Sequence, residues 1–164
     1  MKRVIVAVAA IAALILGISL VIRALESPET KIRKRLLRMA EDFDGGRSGP
    51  CSRGLAEDFV DATTGARVSE VRALLAQMSL SERDPRTKEF LHRVTLPEEE
   101  MTVLLDPAEP TKAQVDFIAI FEERRGEEWR LEWRVSISAE MFDGEDGWQV
   151  RRTTHETLEG QRFR

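Results

Sequence analysis

The sequence predicts an α+β domain in which three helices are followed by a four-stranded antiparallel sheet. Apolar residues recur at helical spacing in the first half of the chain and alternate with polar ones from Phe90 onward. A Gly- and Asp-rich hairpin turn at 143–147 separates the last two alternating segments. Because helices and strands are segregated along the chain, we expect the helices to cover the apolar face of the sheet.

Three helices are predicted from apolar spacing and capping residues. The first begins at Pro28 and ends at the two glycines 45–46. The second runs from about Ser52 to Thr64, and the third is capped by Ser69. The apolar face of the second predicted helix consists of Leu55, Phe59 and Ala62.

Long strands are predicted over 114–122, 129–141 and 148–158, with shorter alternating segments over 90–96 and 101–105. The strongest alternation places one apolar set toward the core: Trp129, Leu131, Trp133, Val135 and Ile137. The neighbouring strand contributes Val115, Phe117, Ala119 and Phe121. Counting alternate residues places Asp116, Glu132 and Arg134 on the opposite, solvated face. A dry, filled core is therefore expected.

An uncharged apolar run at residues 4–22 precedes the domain and is long enough to cross a bilayer as a helix. We interpret it as an uncleaved anchor, because it is longer than a signal-peptide core and lacks a small-x-small cleavage site. The predicted organisation is a short end (1–3), a transmembrane helix (4–22), a linker (23–27), a domain (28–158) and a tail (159–164).

Basic residues on both sides of this run compete to set its orientation. Lys2 and Arg3 favour a cytoplasmic amino terminus, which would place the domain in the periplasm as part of an inner-membrane, single-pass protein. A basic cluster after the run favours the reverse, and in a cytoplasmic domain it could hold anionic lipid headgroups. This cluster comprises Lys31, Arg33, Lys34, Arg35 and Arg38.

Charge and cysteine content restrict the class of partner. Three of the 25 basic residues precede residue 24, so the rest of the chain has 22 basic and 29 acidic residues and a net charge of −7. This balance argues against a nucleic-acid surface. Cys51 is the only cysteine, which excludes an intrachain disulfide. Its place beside Arg53 before a predicted helix allows either a reactive thiolate or an inert loop thiol.

The element order and the long paired strands resemble the nuclear transport factor 2-like (SnoaL-like) superfamily over residues 28–158. The resemblance implies a cone in which helices pack into a strongly curved sheet. It also implies any of several functions, since the superfamily includes isomerases and cyclases, ligand carriers and structural subunits. The layout of anchor and domain resembles that of the inner-membrane assembly subunits of type IV secretion systems.

One polar group is predicted on the core side of the sheet. His92 shares a face with Phe90 and Val94, and the same counting places Arg152 and Glu156 on the face of Trp148. These three residues are the candidate acid–base site, with a buried histidine beside a structural ion pair as the alternative. His155 is predicted to be solvated, and two isolated histidines give no metal-ligand spacing.

The sequence favours a membrane-tethered, non-catalytic binding or assembly domain without a cofactor. Enzymes of this fold use titratable residues inside the cone, whereas here the predicted inner faces are apolar and the chain has no tyrosine. The predicted partners are the bilayer, an envelope protein or a second copy. The possible interface residues are Leu104, Ile118 and Ile120. The alternative is a SnoaL-like enzyme or ligand carrier with a pocket near His92.

Overall fold

The computed structural model describes residues 26–160, which contain three α-helices, one short 3-10 helix and six strands. The helices are α1 (Pro28–Asp44), α2 (Ser48–Ser52) and α3 (Val68–Ser81), and the 3-10 helix is Glu98–Glu100. The strands are β1 (Leu55–Asp61), β2 (His92–Thr95), β3 (Thr102–Leu105), β4 (Lys112–Arg125), β5 (Glu128–Gly144) and β6 (Gly147–Gly160). The predicted α+β class is confirmed.

The sheet is mixed and has six strands within the described range, in the order β1-β6-β5-β4-β2, with β3 also paired to β4. The prediction of a four-stranded antiparallel sheet was therefore wrong in both respects. β2 and β3 share one edge of β4 and are separated by the 3-10 helix. β1 pairs with β6 in the parallel direction, which only a strand brought back by a long connection can do.

The helix predicted over Ser52–Thr64 was wrong, because most of that segment is β1. Leu55 and Phe59 are both buried and lie four residues apart, a spacing that fits one face of a helix and one face of a strand equally well. A register shift between Leu55 and Val60 breaks the alternation further. Ala62 lies beyond the strand, where its N–H donates to Thr153 O at 2.7 Å.

The inner face of the sheet, defined here as the face packed against α1, carries the apolar core. α1 begins as predicted, with Ser27 Oγ accepting a hydrogen bond from Thr30 N, and buries Ile32 and Leu36 against the sheet. The fully buried strand residues Val115 and Val135 belong to the same core cluster. Each such side chain contributes roughly 1.5–3 kcal/mol when removed from water. α1 contacts β2, β3 and β6, so the sheet curves around it.

The third helix begins at Val68, one residue before the predicted cap Ser69. Glu70 closes its first turn by accepting a hydrogen bond from Arg67 N at 2.8 Å. This helix packs on α2 and β1 and closes the core with Met78. The cover over the inner face is thus made mainly by α1, with α3 completing one end.

Residues 26–160 include no helix that is long and apolar enough to cross a membrane. The predicted short end (1–3), transmembrane helix (4–22) and most of the linker lie outside the described residues, as does the tail after Gly160. Residues 159 and 160, predicted to belong to the tail, instead end β6.

Candidate functional site

Two β-bulges turn polar side chains onto the otherwise apolar inner face. In β5, Trp133 pairs with Phe121 and Leu131 with Glu122, so Glu132 is an extra residue without its own partner. In β6, Val150 pairs with Met141 and Arg152 with Glu140, so Arg151 is the extra residue. A single extra residue reverses the facing of all residues beyond it. Each bulge therefore delivers titratable groups to the core side.

The β5 bulge places Glu132 against His92, which corrects the prediction that Glu132 faces solvent. His92 Nδ1 lies 3.2 Å from Glu132 Oε2, and its Nε2 lies 3.7 Å from Glu82 Oε2 at the end of α3. His92 is only 5 % exposed and its ring also contacts Phe90. The predicted inward facing of His92 is confirmed, and its ring lies between two carboxylates.

Burial is the main influence on the pKa of the Glu132 carboxyl. Desolvation raises the pKa of Glu132 above its ordinary value, and Glu123 on the adjacent strand raises this pKa further. The charge and hydrogen bond of His92 act in the opposite direction. Since the raising contributions win, the protonated form of Glu132 is favoured relative to an exposed glutamate.

A cavity of about 470 Å³ opens beside His92, between the end of α1 and the edge of the sheet. Its wall includes Trp129, which Arg93 covers with its guanidinium 4.4 Å from the ring centroid. Arg93 also donates to Glu122 at 2.6 Å. Asp44 accepts from Val94 N at 2.6 Å, although burial raises its pKa. The charged groups named here are thus engaged by the protein itself.

The β6 bulge turns His155 inward, so the prediction of a solvated His155 was wrong. Its side chain is 14 % exposed, and its Nδ1 lies 3.3 Å from Asp61 Oδ1. The edge of the imidazole meets Trp133 in a T-shaped contact with 5.5 Å between ring centroids. Trp133 Nε1 donates to Thr157 Oγ1 at 3.0 Å, which fixes the indole that supports the histidine.

Asp61, at the end of β1, is held in place by the turn that follows it. Its carboxylate accepts from Thr63 N at 3.2 Å and from Thr64 Oγ1 at 2.5 Å. Thr153 Oγ1 on β6 lies 3.5 Å from the same carboxylate. The side chain is 9 % exposed. The imidazole Nδ1 of His155 therefore faces a carboxylate that the turn and Thr153 already hold in place.

The two histidines occupy opposite ends of one aromatic series on the inner face. Successive ring contacts of 5.4–5.7 Å connect His155, Trp133, Phe121, Phe43, Phe90 and His92. Each histidine has its Nδ1 beside a carboxylate of another strand. The inner face is consequently an apolar surface with an acid–base pair at each end, whereas the sequence predicted apolar faces throughout.

The predicted triad of His92, Arg152 and Glu156 is not brought together. His92 is buried at the β2 edge, while Arg152 and Glu156 are exposed on the outer face of β6. The β6 bulge at Arg151 reverses their facing relative to Trp148. The predicted interface residues do lie on the outer face: Leu104 is 58 % exposed, and Ile118 and Ile120 are half-buried.

The surroundings of Cys51 and the distribution of metal-ligating residue types bear on two further predictions. Cys51 is buried at the end of α2, and desolvation raises the pKa of its thiol to about 11. Across residues 26–160, no group of three or more His, Cys, Asp or Glu side chains has the arrangement of a metal site. Asp61 was missed because its strand was taken for a helix, although the Thr-Thr-Gly sequence after Ala62 is typical of a turn.

Comparisons with known proteins identify the fold. No protein-family model and no curated protein matches the chain. An NTF2-like protein with a cystatin-like fold from Novosphingobium aromaticivorans superposes with a TM-score of 0.63 at 15% identity, covering 89% of this chain and 91% of that one. A protein of unknown function with a cystatin-like fold from Nostoc punctiforme gives 0.60 at 11% identity, with coverage of 79% and 90%.

A third solved structure with this fold is named after an enzyme. It is a proposed scytalone dehydratase from Novosphingobium aromaticivorans, with a TM-score of 0.62 at 12% identity and coverage of 83% of this chain and 89% of that one. At such identities the likeness concerns the fold alone. The described part of the chain has the cone-like fold of the nuclear transport factor 2-like proteins.

Proposed function

We propose that the protein is a small acid–base enzyme that uses the Asp61–His155 pair on the inner face of the cone. The observation that carries this proposal is the 3.3 Å approach of His155 Nδ1 to a buried carboxylate, next to the apolar side chains of Trp133 and Ile137. A carboxylate that fixes one imidazole nitrogen leaves the other with its lone pair ready to accept a proton. Such an arrangement suits a general base.

The proton has a defined route in this proposal. Asp61 keeps the Nδ1 proton of His155 in place, and His155 Nε2, which has no partner among residues 26–160, removes a proton from the substrate. The imidazolium so formed is stabilised by the Asp61 carboxylate. It then returns the proton, either to another atom of the substrate or to a leaving hydroxyl group. The reaction class is therefore isomerisation or elimination of water.

The surroundings of the pair define the class of substrate. Trp133 and Ile137 line the wall next to His155, and neither offers a charge. A small, neutral, largely apolar molecule with an acidic C–H next to a carbonyl group fits these surroundings. The name of the structural neighbour with a dehydratase description is consistent with the same chemistry.

The test is proton exchange catalysed by the full chain. A panel of small aromatic ketones and β-hydroxyketones is incubated in D₂O, and loss of the α-proton signal is followed by ¹H NMR. We expect exchange or dehydration of at least one compound, and a rate that falls by about 10²-fold or more in His155→Gln, as for loss of a general base. Asp61→Asn is expected to lower the same rate.

Two variants show whether the effect belongs to this pair. Arg152→Gln changes an exposed residue of the same strand and should leave the rate unchanged. His92→Gln removes the other buried histidine. It shows whether the measured rate depends on the Asp61–His155 pair or on the pocket near His92. Wild-type protein that is inert toward the panel, or His155→Gln protein that retains the full rate, would overturn the proposal.

The apolar run at residues 4–22 supports a second element of the proposal, which is attachment of this domain to a membrane. The charges of Lys2 and Arg3 favour a periplasmic domain. Reporter fusions at the carboxyl terminus test this directly. A reporter active only in the periplasm is expected, and a cytoplasm-active reporter with a soluble chain would reject both the tether and its orientation.

Self-association through the outer face is a second candidate function, favoured by the exposure of Leu104 and Leu131 on that face. Half-buried Ile118 and Ile120 extend the apolar surface on β4. We expect sedimentation of the full chain in an uncharged detergent to show a dimer that Ile118→Glu converts to a monomer. Leu80→Glu, at an 82 % exposed helix position, is the control. A monomeric wild type would exclude this candidate.

A further inference from the structure

A cleft of about 560 Å³ lies between α1 and the α2–β1 connection, away from the inner face of the cone. Four arginines line it: Arg35 and Arg38 are one helical turn apart on α1, Arg47 precedes α2 and pairs with Asp42, and Arg53 follows α2. Residues three apart on a helix face the same side. Arg35, Arg38 and Arg53 therefore border the same polar recess.

The floor of the cleft is rigid. Arg35 Nη2 donates to Arg53 O at 2.6 Å, and Gln149 Nε2 donates to the same carbonyl at 3.4 Å. Gly54 packs so closely on Met39 that a Cβ at this position would lie 2.0 Å from Met39 Sδ. Gly54 O in turn accepts from Val150 N in β6. The recess is thus fixed to both the helix and the sheet before any ligand arrives.

The cleft contains more hydrogen-bond donors than the protein supplies acceptors for. Arg35 Nε is buried and has no hydrogen-bond partner within the described chain. The side chains of Arg38 and Arg53 are exposed to solvent, and neither forms a hydrogen bond or ion pair with another described residue. Burial is the main cause of a lowered pKa for Arg35, and the charges of Arg38 and Arg53 lower it further. An unpaired buried donor is costly, which marks a place for an acceptor.

Nearby carboxylates do not accept hydrogen bonds from these guanidinium groups. Asp42 is engaged by Arg47, with Arg47 Nε 2.8 Å from its Oδ1. Asp146 and Asp42 act on Arg35 only through their charge, without a hydrogen bond. Glu41 lines the cleft but is exposed. A ligand with several acceptor oxygens and a negative charge would satisfy the guanidinium groups together.

We propose that this cleft binds a phosphate group, with Arg35, Arg38 and Arg53 as its ligands. A phosphate monoester offers three terminal oxygens to three guanidinium donors and fits the polar recess. The group can belong to a soluble metabolite or to a lipid headgroup, and the chemistry of recognition is the same. Arg35 contributes its charge and its remaining guanidinium donors from the floor of the cleft, while the exposed side chains of Arg38 and Arg53 donate to the ligand.

The experiment follows phosphorus directly by ³¹P NMR with the full chain. In one arm, the chain in an uncharged detergent is titrated with inorganic phosphate and with glycerol 3-phosphate. In the other arm, the chain is reconstituted into phosphatidylcholine vesicles with and without phosphatidic acid. We expect saturable broadening of the phosphate resonance in one arm, which identifies the source of the group.

The decisive variant is the double substitution Arg38→Gln/Arg53→Gln, which leaves the buried Arg35 in place and should preserve folding. It is expected to weaken binding by about tenfold or more, the effect of losing charge-assisted hydrogen bonds. The control, Arg125→Gln/Arg130→Gln, removes the same charge from an exposed turn and should change binding by about twofold or less. No broadening of the phosphate resonance in either arm, or equal losses of affinity in the two double variants, would overturn the proposal.

Discussion

His92 and Glu132 meet at 3.2 Å although β4 lies between the strands that carry them. His92 begins β2 and Glu132 is the extra residue of the β5 bulge. Strands two positions apart are separated by about 9.6 Å in a flat sheet. The contact therefore requires both side chains to lean over β4 on the concave side, which the curvature around α1 allows.

Replacing Glu132 by glutamine should alter the pH dependence of stability. The folded-state pKa of Glu132 is raised above its ordinary value of 4.5 mainly by burial. A raised pKa contributes stability that is fully present below about 4.5 and is lost as the pH rises through the folded-state value. The free energy of unfolding of wild type minus that of Glu132→Gln should therefore be largest at low pH and decrease above 4.5.

Urea unfolding at a series of pH values measures this difference. Glu128→Gln is the control, because Glu128 is largely exposed at the start of β5 and forms an ion pair with the exposed Arg130. Its difference from wild type should stay flat with pH. A Glu132→Gln difference that grows as the pH rises would show that the partner charge of His92, and not burial, dominates.

Asp61 and His155 should be energetically coupled. Asp61→Asn removes the carboxylate charge that faces the imidazole while keeping the side-chain shape, and His155→Gln removes the imidazole from the same contact. A double-mutant cycle of urea unfolding free energies should give a coupling of about 1 kcal/mol, within the range for residues in direct contact. The cycle of Asp61→Asn with Arg152→Gln, whose side chain is exposed on the outer face, should give none.

The Cys51 thiol should be unreactive in the folded protein. With a pKa of about 11, only about a thousandth of the thiol is ionised at pH 8, and its burial blocks access. We expect labelling by an aromatic disulfide reagent to be slow in buffer and immediate in urea. Glu127→Cys in a Cys51→Ala background gives an exposed comparison thiol. Equal labelling rates for the two folded proteins would contradict the buried placement.

Alanine substitutions at two glycines should separate backbone strain from steric conflict. Gly126 and Gly160 both have positive φ, of 67° and 78°. A Cβ at Gly126 meets open space, whereas one at Gly160 would lie 2.2 Å from Glu132 O. Gly126→Ala should cost about 1–2 kcal/mol of unfolding free energy. Gly160→Ala should cost clearly more, because the backbone of the β5 bulge must move. Equal losses in urea unfolding would exclude this conflict.

The long hairpins were predictable from sequence because each strand repeats its alternation many times. The segment predicted over 114–122 is the centre of β4, and 129–141 lies within β5. β1 was not predictable in the same way, since its buried Leu55 and Phe59 satisfy helical and extended periods alike. Its strand partner, β6, is also distant in sequence, so no hairpin turn pointed to the pairing.

The candidate site escaped prediction for a more specific reason. A bulge adds one residue and leaves no mark in composition, so counting alternate positions placed Glu132 and His155 on the solvent side. The same counting was correct for His92, because no bulge separates it from Phe90 and Val94. Sequence periodicity thus predicted the apolar wall from Trp133 onward. It failed at the polar residues set into that wall and at Trp129 and Leu131, which lie beyond the β5 bulge on the outer face.

The parallel pairing of β1 with β6 has a consequence for how the chain reaches its final form. Asp61 and Thr153 lie 92 positions apart, so their contact closes a loop containing most of the domain. Contacts of such long range form late, after local hairpins have gained enough stability to offset the lost chain entropy. During synthesis, the segments of all three α-helices and of β1 to β5 emerge before β6, which is the last strand in the chain. Any acid–base activity of Asp61 with His155 would consequently appear only at the last step of folding.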